Sequence, residues 1–142
     1  MTNDKAAYLA MIQLIITRMG ANSFLLKGWN VTLVSVLFAL SVKDSNSKFV
    51  MVALLPAFVF WILDAYYLRQ ERLFRKLYAE AALSTDQNPL VPPFSMSTGK
   101  YEPNVETLGS TMLSSTVGLL HGSIFVTVIF VFFLVLTLRR LR

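Results

Sequence analysis

Residues 117–138 run for twenty-two positions without a charged side chain, and no other feature limits the chain's possible folds so strongly. At about 1.5 Å per helical residue the run covers roughly 33 Å, enough for a hydrocarbon core of about 30 Å. His121 and a few mildly polar residues interrupt it, and Arg139, Arg140 and Arg142 stop it abruptly. Lipid offers no water to unpaired backbone groups, so a run of this kind reads as a membrane-spanning helix. The composition agrees. Of 142 residues, 55% are hydrophobic and 15% charged, with a mean hydropathy of +0.58; a soluble chain carries roughly a quarter charged residues. Eleven Phe and many aliphatics exclude disorder. The absence of cysteine removes disulfide frameworks, thiolate zinc sites, iron–sulfur clusters and cysteine nucleophiles.

Two further runs are long enough to span. Residues 49–68 contain Pro56, which is tolerated inside a membrane bundle, and Asp64 near the end. Residues 25–42 are more polar, with Lys27, Asn30, Thr32 and Ser35, and the polar stretch 43–48 reads as a tight turn joining the two. Ahead of them, residues 5–19 place Leu9, Ile12, Ile16 and Met19 on one stripe, and Gly20-Ala21-Asn22-Ser23 reads as a helix stop. This segment lacks the charge pattern and cleavage site of a signal peptide. It is expected as a helix at the interface or packed along the bundle. After Leu68 the second helix continues without a breaker to about Leu83; the following stretch, with Pro89, Pro92, Pro93 and Pro103, is expected as a packed loop. The fold expected is an all-α integral membrane protein. It has three transmembrane helices plus an N-terminal amphipathic helix, a second span extended into a cytoplasmic helix, and a Pro-rich cytoplasmic loop. The units run 1–24, 25–68, 69–113 and 114–142.

Positive residues near span ends favour the cytoplasmic side. With the N-terminus inside, eight lie there (Lys5, Arg18, Lys27, Arg69, Arg72, Arg75, Lys76, Lys100) and five outside (Lys43, Lys48, Arg139, Arg140, Arg142). The balance puts the N-terminus and the 69–113 segment in the cytoplasm, while the C-terminal arginines pull the other way.

Asp64 and Lys27 are the only ions inside apolar runs, and an isolated charge near a bilayer centre costs about 2.5–3.5 kcal/mol. With the turn centred between Ser45 and Asn46 they stand equally far from it, hence at one depth and in reach of each other. The residues favour an intramembrane structural ion pair over an ion or proton path, with Trp29, Trp61, Tyr66 and Tyr67 as interface aromatics. Ser110, Ser114, Gly118 and Gly122 recur every four residues, a small-residue stripe suited to close helix packing. His121, the sole histidine, has no second ligand within two turns, so it reads as a helix-packing polar residue in preference to a proton-relay or pH-sensing group, and not as a metal ligand. Asn30-Val31-Thr32 matches a glycosylation acceptor but falls within the membrane. Arg69, Arg72, Arg75 and Lys76 form a juxtamembrane basic cluster suited to anionic headgroups, each contact being worth about 1 kcal/mol. No nucleic acid, metal or cofactor is expected. There is no phosphate-binding loop, triad or paired-carboxylate site, so the chain is expected to be non-enzymatic.

Residues 60–78 carry the pattern FW-x-LDAYYL-x-x-ER-x-FR-x-LY. With the flanking hairpin and the later third span, it resembles the RipA-like family of small bacterial octameric membrane proteins. The resemblance implies a homo-oligomer of the cytoplasmic (inner) membrane, with roles in stress adaptation or host-associated growth. It gives Asp64, Tyr66, Tyr67, Arg69, Glu71 and Arg72 interest as an assembly or juxtamembrane motif. The leading expectation is a self-associating scaffold or pore in contact with lipid. Two others stay open: an accessory subunit binding a different protein through the cytoplasmic helix and loop, and a nucleotide-gated membrane-disrupting effector.

Overall fold

The structure, a computed structural model, describes residues 3–44, 47–85 and 88–140. It comprises α1 (Asn3–Asp44), α2 (Ser47–Leu83), a 3-10 helix (Gly99–Asn104), α3 (Leu108–Met112) and α4 (Ser115–Arg140). No strand occurs among the described residues. α1, α2 and α4 are each long and apolar enough to cross a membrane. α1 and α2 pair as a long antiparallel hairpin, and α4 packs chiefly on α2. The turn residues Ser45 and Asn46 lie outside the described set, as do the side chains of Arg139 and Arg140 and the whole of Arg142.

The expected stop at Gly20-Ala21-Asn22-Ser23 does not occur. α1 runs unbroken for 42 residues, about 63 Å. Gly20 costs about 1 kcal/mol relative to Ala in a helix interior. Continuous packing against α2 outweighs it: the missing side chain of Gly20 faces the Glu71 carboxylate at 3.5 Å, and Ser23 turns inward among buried residues. The N-terminal segment is therefore the first half of one helix, packed along the bundle. Pro56 likewise sits inside an uninterrupted α2.

Buried residues of α1 recur at 12, 16, 23, 30, 34 and 41, a single stripe along its length. Its character changes along the way. Tyr8, Leu9, Ile12 and Ile16 meet Leu73, Leu77 and Ala81 of α2 in one apolar core, closed by Val91 and Tyr101 from the segment beyond α2. Val34 joins Val50, Ala53, Ala57 and Val128 in a second core near the turn. Between the two the stripe is polar, with Ser23 and Asn30 buried.

The Pro-rich stretch is irregular up to Thr98 among its described residues, and then forms the 3-10 helix that includes Pro103. It straps the end of the hairpin. Lys5 donates to the carbonyls of Ala82 (2.8 Å) and Ser84 (2.7 Å), and the Tyr8 hydroxyl donates to the Ser95 carbonyl. Phe94 takes a left-handed backbone (φ 57°) and its ring packs on Tyr8 at 5.6 Å. Glu80 accepts from Lys100 at 2.8 Å and from the Tyr101 hydroxyl. Those two hydrogen bonds, Lys100 first, hold the Glu80 carboxyl below the ordinary carboxylate range. A lowered folded value means that the stabilisation is present above the ordinary value of 4.5 and is lost as pH falls through the folded value. Limited proteolysis between residues 84 and 107 is therefore expected to accelerate on acidification. In Glu80→Gln this acid dependence should be reduced, Glu106, which its own backbone and Arg72 hold low, supplying the remainder; an identical acid profile in the variant would assign the whole effect elsewhere.

Candidate functional site

Five polar side chains from three helices converge between the two apolar cores. Ser23, Lys27 and Asn30 follow one another on one face of α1 at spacings of four and three, as helical geometry requires. Asp64 reaches in from α2 and His121 from α4. Asp64 is the hub. Its Oδ1 accepts from the Ser23 hydroxyl (2.5 Å) and from the Lys27 ammonium (2.7 Å), and its Oδ2 lies 2.7 Å from Lys27 Nζ and 2.9 Å from His121 Nε2. Lys27 also donates to Ser23 Oγ at 2.8 Å. The Asn30 amide Nδ2 donates to His121 Nδ1 at 2.8 Å. Asn30, Asp64 and His121 are fully buried, and only the Lys27 side chain, 22% exposed, touches the surroundings.

The network assigns its own protons. An amide nitrogen can only donate, so His121 Nδ1 is an acceptor and carries no proton; Nε2 then carries one and donates to Asp64. With the Asn30 amide in this orientation, the cluster combines one cation, one anion and a neutral imidazole. One valence is left over: Asn30 Oδ1 is buried and has no hydrogen-bond partner. Among the described residues no group of three His, Cys, Asp or Glu side chains is placed to hold a metal ion.

The expected contact between Lys27 and Asp64 is thus present, at 2.7 Å. Ser23, Asn30 and His121 join it, which the sequence reading did not anticipate. Asn30 had stood out only as a glycosylation match, and Ser23 only as part of a helix stop. The signal that connects Ser23 and Asn30 with Lys27 is their common face on α1, visible once the helix is read as continuous.

The small-residue stripe needs correction. Ser110 lies on α3, Ser114 in the turn, and only Gly118 and Gly122 on α4, so the four positions do not share one helix face. The break has a local cause. Thr107 caps α3, accepting from the Ser110 amide. The Met112 carbonyl, which a continuous helix would pair with an amide four residues on, accepts the Trp61 indole N–H at 2.9 Å. A Cβ on Gly118 would stand 3.1 Å from the Met112 oxygen, so this glycine lets α4 start tight against its own preceding turn. Around Gly122 there is open space.

Of the four aromatics, Trp29 is 58% exposed, and Tyr66 and Tyr67 stack edge to face at 5.6 Å. Trp61 turns inward: besides its hydrogen bond it packs against Phe125 of α4 at 6.2 Å. The basic cluster is partly neutralised within the chain. Arg72 pairs with Glu106 (2.9 Å), Arg69 donates to the Glu106 carbonyl (3.1 Å), and Arg75 pairs with Glu71 (2.7 Å). Lys76 is exposed beside them, on an open groove of about 610 Å³ walled by residues 103–106.

Comparison with protein-family models, with curated proteins and with solved structures returns no match. The site must therefore be read from its own chemistry. The polar cluster ties α1, α2 and α4 together at one level between the two apolar cores.

Proposed function

We propose that this chain is a non-enzymatic protein of the bacterial cytoplasmic membrane that assembles with copies of itself into a scaffold, its N-terminus and the 69–113 segment facing the cytoplasm. The observation that carries self-assembly is the outer face of α4. Only 11% of its span is buried within the chain. That face presents Leu119, Val126 and Phe130, each at least 65% exposed, around the open space at Gly122. Between helices in lipid, association comes from close packing at small residues and not from hydrophobicity, which favours a helix seated at Gly122.

A scaffold is favoured over an open pore because the span charges are directed inward. Lys27 and Asp64 hold each other. The exposed hydroxyls of Thr32, Ser123 and Thr127 bond back to carbonyls of their own helices, at 2.8–2.9 Å, so they need no water.

Mass measurement of the purified protein in detergent and in lipid nanodiscs tests it. One large homomer is expected, and Gly122→Leu is expected to reduce it to smaller species. A wild-type monomer would refute self-assembly and favour an accessory subunit that binds a different protein.

A further inference from the structure

We propose that the polar cluster is a proton-binding site, in which His121 takes up a proton at Nδ1 and the Asn30 amide turns over to accept from it. The inference is independent of self-assembly. Its starting point is the valence that the neutral cluster leaves open. Asn30 Oδ1 is buried without a partner, although the other end of the same amide is engaged with His121 Nδ1 at 2.8 Å. The amide oxygen and nitrogen are nearly the same size. A half-turn of the Asn30 amide therefore exchanges them without repacking: it sets Oδ1 where Nδ2 stood and passes the unpartnered position to Nδ2. In that position it accepts a hydrogen bond only if Nδ1 carries a proton. The two amide positions thus match the two charge states of the ring.

The surroundings suit the charged form on its other side as well. His121 Nε2 already donates to Asp64 Oδ2 at 2.9 Å, so the imidazolium would have both N–H groups engaged and a carboxylate against it. The groups facing the ring are Asp64 from α2 and Asn30 from α1, with the Lys27 ammonium of α1 behind Asp64. The one buried residue of α3, Thr111, is uncharged, and its hydroxyl bonds to the Thr107 carbonyl. Lys27 opposes a second positive charge, but it is the partly exposed member and its long stem lets the ammonium lean toward water. Uptake of the proton would replace a neutral hydrogen bond between α1 and α4 by a charge-assisted one, which is shorter and stronger. The cluster would then join α4 to the hairpin more firmly in acid than at neutral pH.

Because His121 is the only histidine, protein labelled with ¹⁵N-histidine and placed in lipid nanodiscs gives signals from one imidazole. The pH is scanned from about 8 to about 5, where imidazoles ordinarily change charge. The expected result is an unprotonated Nδ1 with a protonated Nε2 at the upper end, passing in one step to a ring protonated on both nitrogens. Asn30→Leu removes the waiting acceptor and is expected to lower the midpoint by about one pH unit, a tenfold weaker hold on the proton. Asn30→Asp keeps an acceptor in place and is expected to raise the midpoint. A ring that keeps the same charge state throughout the scan overturns the proposal, as does a wild-type midpoint in either variant. The wild-type scan decides by itself if the variants do not fold.

Discussion

Asp64→Asn is expected to lower the stability of the folded bundle by about 3–5 kcal/mol, the cost of breaking a buried ion pair by removing one partner. The substitution keeps the shape of the side chain and changes only its chemistry. Three donors point at this carboxylate: the Ser23 hydroxyl, the Lys27 ammonium and His121 Nε2. An amide in its place presents one acceptor and one donor, so the Lys27 charge loses its counterion and at least one hydrogen bond becomes a clash of donors. The double replacement Lys27→Met with Asp64→Leu removes both charges and is expected to recover part of the loss. It still leaves the Ser23 hydroxyl and the His121 N–H without an acceptor, at about 1–3 kcal/mol for each unsatisfied group. Reversible unfolding in mixed detergent micelles measures the order: wild type, then the double variant, then Asp64→Asn. An Asp64→Asn protein that unfolds at the wild-type midpoint would show that the carboxylate is hydrated and not part of a clamp.

The second large effect lies at the other core. Leu77→Ala is expected to cost about 2–5 kcal/mol. Leu77 is fully buried beside Ile12, Ile16 and Leu73, in the half of the hairpin away from the turn. If water surrounds that part, each methylene removed loses transfer energy as well as contacts. Val128 is equally buried, but it sits among Val50, Ala53 and Ala57 in the half nearer the turn, where the proposed topology puts lipid. Lipid tails are as apolar as a protein interior, so Val128→Ala forfeits packing alone and should cost less per carbon removed. The same detergent unfolding measures both, with early proteolysis near the N-terminus as a separate signature of Leu77→Ala. Equal losses per carbon would place both cores in the same solvent.

How far the sequence alone reaches follows from where its signals are local. The three spans were readable because each is a contiguous apolar run of sufficient length. The Lys27–Asp64 pair was readable because a tight turn converts sequence distance into depth. The continuity of α1 was not. Gly20, Asn22 and Ser23 are ordinary helix-breaking residues, and only the packing of α2 alongside, with Glu71 against Gly20 and Asp64 against Ser23, holds them helical. That single misreading also separated Ser23 from Lys27 and so concealed the polar face. His121 is 57 residues from Asp64, and nothing near it in the chain marks where α4 will lie. The four-residue spacing of Ser110, Ser114, Gly118 and Gly122 shows the opposite error: a regular interval in sequence is interrupted in space at Leu113 and Ser114, where the Met112 carbonyl turns to the Trp61 indole.

The polar cluster also has a history, because its members emerge from the ribosome in a fixed order. Ser23 and Lys27 come first, Asp64 completes a neutral group with them as soon as the hairpin closes, and His121 arrives last with α4. The hairpin can therefore close with the Lys27 and Asp64 charges already cancelled before α4 is made. Until α4 docks, one carboxylate oxygen and the Asn30 amide remain without the imidazole, which gives the newly made hairpin a specific reason to hold the third helix when it comes.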